Sequence, residues 1–267
     1  TIFQDKDGYM WFGTYDGLNR YDGYTFKVFK NEINNVKSLS NNTVYCLEGD
    51  ANRNIWVGGN KGASVYDKSK ALFYPVKYKE KEDQTSITLK NVVHQIKSVS
   101  DDLVLLATQN SGLIAFEDDS YEGKTIPILK SANPYNYEVI GIEKSQKTNN
   151  CWLYVRNLGI CNYDYNSKKI KLITPLLMEV KCMEADSKGN LWLGTDDGLF
   201  LFDTTSHSIS KNYFSTKCIV SNLFRDKKDQ LWIATDGSGL FTLNKKNRQI
   251  IPYRKDSLQQ IIKSSSV

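Results

Sequence analysis

The sequence has 267 residues and a formal net charge of +5, with 24% of its residues charged. This modest charge is scattered along the chain, which disfavours a nucleic-acid surface, because such a surface needs clustered Lys and Arg. The longest apolar runs, such as residues 103–107, are far too short to span a bilayer, and no signal peptide is visible.

One phrase recurs from the first residues to the last third of the chain. It consists of a turn with Asp, a short apolar strand centred on Trp, a turn with Gly, and a second apolar strand. Copies occupy residues 5–22, 50–67, 186–203 and 226–241, and degenerate copies lie at 102–116 and 150–164. The anchor positions are 11, 56, 105, 152, 192 and 232, with Leu105 in place of Trp. Their spacing of about 40 to 49 residues is that of a four-stranded propeller blade.

The repeat predicts an all-β fold, a β-propeller of four-stranded antiparallel blades with six repeats visible, in a single domain over residues 1–267. The predicted blades are residues 1–30, 43–77, 92–129, 139–173, 180–213 and 218–253. We interpret the repeated tryptophans as structural packing anchors: Trp11, Trp56, Trp152, Trp192 and Trp232.

The two ends of the chain leave the blade count open. Residues 257–267 resemble the approach to a further first strand, and Thr1 opens within a strand pattern, so we expect that upstream sequence has been removed. Either the tail completes blade 1 in a six-bladed ring, or the chain was cut from a seven-bladed propeller. We favour the second alternative.

The phrase at residues 180–203, and less completely at 2–22 and 44–67, resembles the two-component regulator propeller repeat. Residues 17–26 resemble the first repeats of hybrid two-component sensors of gut Bacteroidetes. The resemblance implies a sensor module on the periplasmic side of the inner membrane, followed in the parent protein by a Y-shaped β-domain, a membrane helix and a histidine kinase. It further implies detection of glycan breakdown products.

For partners, the resemblance implies a second propeller or the Y-shaped β-domain of the same parent chain, and a homodimer at full length. Membrane contact would occur only through the parent chain. The segment itself is expected to be no enzyme, because no kinase or response-regulator sequence is present.

Strand order predicts where a ligand would bind. In a blade, the turns between second and third strands emerge on the same face as the blade-to-blade connections, around the channel mouth. The polar residues predicted on this face are Tyr15, Asn60, Lys61, Gln109, Asn110, Arg156, Asn157, Asp196, Asp197 and Asp236. Amides, carboxylates, cations and an aromatic ring suit an oligosaccharide.

Two other functions stay open. The chain could be a pure interaction scaffold, with ligand bound elsewhere, or a propeller polysaccharide lyase or glycosidase. Adjacent carboxylates such as Asp196 and Asp197 are typical of solvated turns, and His94 and His207 lie in different blades, so catalysis is disfavoured.

The sequence predicts no cofactor and no metal. Residues 5–8 could begin a calcium loop, but the remaining ligands of such a loop are missing, so a β-turn is favoured. The five cysteines match no zinc spacing, and Cys46 and Cys182 occupy the same position of their repeats. We expect buried thiols, which would reconcile an odd cysteine count with a periplasmic location.

Overall fold

The computed structural model describes residues 1–81, 84–117, 120–128, 134–146 and 148–253. The regular structure of these residues consists of β-strands, arranged as six antiparallel meanders. The prediction of an all-β propeller of four-stranded antiparallel blades, with six repeats, is confirmed. Residues 257–267 lie outside the described residues, and a seventh blade stays a prediction.

The strands follow the repeat, four to a blade, with two extra strands after the second blade. Blades 1 and 2 are β1 (Ile2–Gln4), β2 (Met10–Thr14), β3 (Gly17–Tyr21), β4 (Phe26–Phe29), β5 (Val44–Gly49), β6 (Ile55–Gly59), β7 (Gly62–Asp67) and β8 (Leu72–Pro75). The extra strands are β9 (Lys77–Lys79) and β10 (Ile87–Thr88). Blades 3 and 4 are β11 (Val93–Ser100), β12 (Leu103–Thr108), β13 (Leu113–Glu117), β14 (Glu122–Ile126), β15 (Val139–Lys144), β16 (Asn150–Val155), β17 (Gly159–Asp164) and β18 (Lys169–Pro175). Blades 5 and 6 are β19 (Val180–Ala185), β20 (Leu191–Thr195), β21 (Leu199–Asp203), β22 (Ser208–Ile209), β23 (Val220–Arg225), β24 (Leu231–Thr235), β25 (Gly239–Leu243) and β26 (Ile250–Pro252).

The chain divides into two compact units, Thr1–Ile142 with Ser167–Lys171, and Glu143–Asn166 with Leu172–Val267. The first unit holds blades 1 to 3 and the second holds blades 5 and 6, while residues of the fourth blade fall in both. The single domain over residues 1–267 stays a prediction.

One packing rule repeats in both units: the Trp-bearing face of a blade covers the opposite face of the next blade. Trp11 packs with Ile55 and Val57 of blade 2, and Trp56 packs with Val93 and Val104 of blade 3. In the second unit, Trp192 packs with Leu223 and Ile233 of blade 6. Burying one Trp removes roughly 150–250 Å² from water, which is worth about 4–6 kcal/mol of transfer free energy.

The connection after blade 2 departs from the sequence prediction. The fourth strand was expected to extend to residue 77, but β8 ends at Pro75, and the Lys77 amide donates to the Tyr121 carbonyl at 3.1 Å. Strand β9 therefore lies parallel to β14, β10 pairs with β9, and the sheet of blade 3 has six strands. Residues 78–79 and 87–88, which lie between the predicted blades 43–77 and 92–129, thus extend blade 3.

Two other fourth strands differ in their bounds. The fourth strand of blade 3 covers Glu122–Ile126, whereas the predicted blade extends to residue 129, which lies outside the described part of the chain. The fourth strand of blade 5 is only Ser208–Ile209, because the Leu201 amide donates to the Ser210 hydroxyl and the Leu199 amide donates to the Asn212 side chain, in place of backbone carbonyls.

Blade 1 leaves its other face exposed. Ile2 is 66% exposed and Phe26 is 61% exposed, on the side of the sheet away from Trp11. The residues at the same positions of blade 2, Leu47 and Phe73, are 9% and 4% exposed, because the Trp11 face covers them. The exposed face of blade 1 therefore has the composition of a blade interface.

Candidate functional site

The turns between second and third strands of blades 1, 3, 5 and 6 share one construction. A Thr at or near the end of the second strand points its hydroxyl at the carbonyl of a following Gly, at 2.9 Å from Thr14 to Gly17 and 3.0 Å from Thr195 to Gly198. The same bond links Thr108 to Gly112 and Thr235 to Gly239. The backbone of these turns is therefore fixed, and the residues between Thr and Gly carry the variable side chains.

In the first unit, the β2–β3 and β6–β7 turns are also tied to the segments that enter the next blades. The Gly17 amide donates to the Asn42 carbonyl at 2.7 Å, and the Gly62 amide donates to the Asn91 carbonyl at 3.0 Å. Three predicted site residues lie on these two turns: Tyr15 between β2 and β3, and Asn60 and Lys61 between β6 and β7.

Tyr15 is the aromatic residue of the predicted set, and its side chain is exposed, at 82%. Its ring meets the ring of Tyr45, which is 42% exposed, edge to face at a centroid distance of 6.5 Å. Asp16 beside it pairs with Lys30 at 2.5 Å. An exposed aromatic pair next to charged side chains is a surface on which a sugar ring can stack.

The amides of the first unit have different surroundings. The Asn60 Oδ1 atom is buried and has no hydrogen-bond partner within the described residues, so it can still accept one. The backbone of Gln109 is fixed by two hydrogen bonds. Its backbone N–H donates to the Val92 carbonyl, and its backbone carbonyl accepts from the Asn91 side chain. Asn110 is exposed and has a φ of 62°, and Lys61 is exposed.

In the second unit, several predicted site residues are engaged in ion pairs. The Arg156 guanidinium contacts Glu179 Oε1 at 2.7 Å and 2.8 Å. Asp196 pairs with Lys181 at 2.9 Å, and Asp197 pairs with Lys217 at 3.0 Å. These pairs are partly exposed, so each is worth only about 0–1 kcal/mol and can exchange for a ligand contact.

The two remaining predicted residues of the second unit are exposed turn residues. Asn157 has a φ of 60°, which suits the short β16–β17 turn. Asp236 lies between β24 and β25, and its amide donates to the Ile219 carbonyl at 2.9 Å.

A β-bulge in the first strands of blades 2, 3, 5 and 6 positions residues that were not among the predicted site residues. The register shifts at Val44/Cys46, Val93/Gln95, Val180/Cys182 and Val220/Asn222. The extra residue of each bulge is Tyr45, His94, Lys181 or Ser221. Bulges re-aim side chains and are frequent beside functional sites.

Two of these bulge residues contact residues of the predicted site. The Tyr45 ring meets the Tyr15 ring edge to face, and Lys181 pairs with Asp196. His94 Nε2 lies 2.8 Å from Glu138 Oε1.

The sequence did carry a signal for the bulge. The buried residues of these strands are spaced by three, as in Val44 and Leu47 or Val180 and Met183. A regular strand alternates with a period of two, so residues three apart share a face only if a bulge intervenes.

Metal-binding groups and membrane helices were sought in the described ranges. Among these residues there is no cluster of three or more His, Cys, Asp or Glu side chains that could hold a metal ion. A helix long and apolar enough to cross a membrane is likewise not found in that part of the chain.

Blades that stack a Trp-bearing face on the next blade, with a Thr-Gly closure in the exposed turns, define a β-propeller built from one repeat type. The family model "Two component regulator propeller" matches residues 1–16, 38–61 and 176–197. The chain therefore contains repeats of this type, as the sequence analysis predicted.

One relative matches a short segment of the chain, and two solved structures match its fold. A segment of 39 residues, 15% of the chain, is 51% identical to Histidine kinase P4 of Formosa agariphila and covers 3% of that protein. The extracellular domain of the hybrid two component system BT3049 from B. thetaiotaomicron has 24% identity and a TM-score of 0.75. That of the one component system BT4673 from the same organism has 16% identity and a TM-score of 0.74.

These two structures match 96% of the chain, and the chain covers 35% and 36% of their length. At these identities the likeness shows the fold, and the chain spans about a third of the solved domains.

Proposed function

We propose that the chain is part of the extracytoplasmic sensor region of a hybrid two-component histidine kinase, on the periplasmic side of the inner membrane. The observation that carries this proposal is the match to two component regulator propeller repeats, supported by the fold of extracellular domains from such systems. The segment acts by binding, and the kinase chemistry belongs to other parts of the parent protein.

The proposed ligand is a glycan-derived oligosaccharide, bound at the turns between second and third strands. Tyr15 and Tyr45 supply an exposed aromatic surface, and the exposed Lys61 side chain supplies a polar contact in the next blade. Exposed aromatic faces favour the apolar side of a sugar ring, while amides and carboxylates bond its hydroxyls.

Calorimetric titration of the parent protein's ectodomain tests this site. The probes are oligosaccharides released from starch, xylan, pectin and mannan. If one of them binds, the double variant Tyr15→Ala and Tyr45→Ala is expected to weaken it about tenfold, or ~1.4 kcal/mol. Tyr24→Ala is the matched control, because Tyr24 is 93% exposed in the turn between β3 and β4.

The same titration tests the cationic part of the predicted site. Arg156→Ala and Lys61→Ala should weaken an acidic oligosaccharide more than a neutral one. Unchanged affinity in both variants would remove these residues from the site, and absence of binding by every probe would count against oligosaccharide sensing.

A second candidate function is an interaction scaffold, and the exposed face of blade 1 favours it. Ile2, Phe26 and Val28 are 66%, 61% and 54% exposed on this face. The face at the same position of blade 2 is covered by a Trp-bearing blade, so the occupant we propose is a Trp-bearing propeller repeat from elsewhere in the parent chain.

Sedimentation of the parent ectodomain tests the scaffold function. Phe26→Glu should loosen the interdomain packing and expose the face to limited proteolysis, while Tyr24→Glu should not. A change from dimer to monomer would instead assign the face to the proposed homodimer.

A further inference from the structure

A cleft lies between blades 5 and 6, at the end of the strands where the Asp-containing turns emerge. It has a volume of about 150 Å³. Its floor is apolar and consists of Trp192, Leu231 and Leu243. Its charged lining consists of Lys188, Arg225, Lys245, Arg248, Asp186 and Asp229.

The repeat supplies an internal comparison, because blades 1 and 2 meet at the same positions. There, Lys68 closes the gap: its Nζ atom lies 2.6 Å from Asp5 Oδ2 and 2.8 Å from Asp7 Oδ2. Arg53 adds a second contact to Asp7 at 2.8 Å. The two carboxylates of this interface, Asp5 and Asp7, are thus both paired with cations.

At the interface of blades 5 and 6 the same positions carry different residues. Lys245 corresponds to Lys68, but the position of Asp7 is occupied by Lys188. Arg248 stands where blade 2 has Ala71, and Arg225 stands where blade 2 has Gly49. The position of Arg53 is occupied by Asp229, and that of Lys6 by Ser187. Two carboxylates therefore remain at these positions, while the cations rise from three to four.

The remaining carboxylates do not neutralise this set. Arg225 contacts Asp229 at 3.1 Å, and it contacts Glu184, which does not line the cleft, at 3.7 Å. Lys245 Nζ lies 3.9 Å from the same Asp229. Neither Lys188 nor Arg248 forms an ion pair within the part of the chain that the structure describes. Four cations therefore face two carboxylates in the lining, over an apolar floor.

We propose that this cleft binds an anionic group, a carboxylate or sulfate carried by a saccharide or free in solution. Arg and Lys side chains recognise such groups by charge-assisted hydrogen bonds, and a cleft of one charge sign concentrates the counter-ion. The volume is below the roughly 300 Å³ of a site for a larger ligand, so the cleft takes one charged group or ring. This inference does not rest on the proposed oligosaccharide site, which lies at the other turns of the blades.

The indole N–H signals of the five tryptophans give a direct readout. Sodium sulfate, sodium glucuronate and neutral glucose are titrated into the ¹⁵N-labelled chain at a constant ionic strength of roughly 20 mM, where screening is weak. We expect a saturable shift of the Trp192 indole signal with sulfate or glucuronate, and none with glucose. A response to glucuronate alone would specify a carboxylate of a sugar, and a response to both would specify the anionic group in general.

Variants that copy the closed interface provide the second test. Lys188→Asp restores the carboxylate found at Asp7, and Arg248→Ala restores the residue found at Ala71, so both are compatible with the blade packing. Each should weaken the anion about tenfold or more. Lys246→Ala is the matched control, because Lys246 is exposed in the same turn but does not line the cleft.

Three results would overturn the proposal. They are a Trp192 shift reproduced by sodium chloride, an equal response to glucose, or undiminished anion binding by both Lys188→Asp and Arg248→Ala. Circular dichroism melting of each variant establishes that the comparison is made between folded proteins.

Discussion

Trp11 Nε1 donates a hydrogen bond of 2.8 Å to Asp5 Oδ2, six residues earlier. The same bond joins Trp56 to Asp50 and Trp232 to Asp226, each at 3.0 Å. The other oxygen of Asp5 accepts the backbone amides of Asp7 and Tyr9. The carboxylate thus shapes the turn and fixes the ring that covers the next blade, which explains why Asp and Trp recur together.

Replacing Asp5 by Asn should therefore destabilise the fold. The amide keeps one acceptor oxygen, so at least one buried donor among Trp11, Tyr9 and Lys68 loses its partner, at a cost of about 1–3 kcal/mol. Urea unfolding measures the change in the free energy of unfolding. Asp22→Asn is the control, since Asp22 also accepts turn amides but is exposed, and an equal loss in both variants would argue against the buried Asp–Trp contact.

Acid should weaken the β7–β8 turn through Asp67. Hydrogen bonds from Ser69 and Lys70 lower the pKa of Asp67 to about 2. Because the folded-state pKa lies below the unfolded value, the contribution of Asp67 is fully present above about pH 4 and is lost as the pH falls toward 2. Asp67→Asn should therefore lower stability at neutral pH, and the wild-type and variant curves should converge near pH 2.

A second variant isolates the cause. Ser69 contributes the largest lowering of the pKa of Asp67, so Ser69→Ala should shift the acid transition to higher pH. Thermal melts across the acid range record both effects, and curves that stay parallel down to pH 2 would exclude Asp67 as their source.

Most of the fold could be predicted from the sequence because the repeat fixes it locally. Asp, Gly and Trp at set spacings define the turn and the interface, as Asp5 and Trp11 show. Residues of the candidate site were harder to predict, because side-chain partners depend on contacts between repeats. Arg156 was predicted as a ligand residue, but its pairing with Glu179, 23 residues later, follows only from the strand that enters blade 5.

The aromatic partner of Tyr15 shows the same limit. Tyr45 lies in a bulge, and strict alternation along β5 does not place it beside a turn of the preceding blade. The extension of blade 3 by β9 and β10 was missed for a similar reason, since parallel pairing with β14 has no local signature in residues 77–88.

Gly62→Ala should be strongly destabilising. Gly62 has a φ of 92°, and a Cβ atom there would lie 2.0 Å from the Leu89 carbonyl oxygen, which belongs to the segment entering blade 3. Backbone strain alone costs about 1–2 kcal/mol, and the clash adds to it. Gly23→Ala is the matched control, because Gly23 has a φ of 102° but no atom within 4 Å of the added Cβ.

Urea unfolding of the two glycine variants separates strain from contact. We expect Gly23→Ala to lower the free energy of unfolding only by the cost of backbone strain, and Gly62→Ala to lower it clearly more. Equal losses would show that the turn between β6 and β7 can move away from residues 89–91.

Alkylation should distinguish the native thiols from ordinary surface cysteines. Burial raises the pKa of Cys46 and of Cys182 to about 12. Both Sγ atoms lie over a Gly of the neighbouring strand, and they contact the carbonyls of Val93 and Val220. Since the thiolate is the reactive form, iodoacetamide at pH 8 should modify them at least about 100-fold more slowly in the native protein than in concentrated urea.

Peptide mapping by mass spectrometry assigns the rate to each cysteine. Gly58→Ala supplies a second test, because its added Cβ would lie 2.6 Å from Cys46 Sγ and should displace that thiol. The peptide with Cys46 should then react faster while that with Cys182 stays slow. Fast labelling of both in the native wild type would show that the inner strands open to solvent and that burial does not protect these thiols.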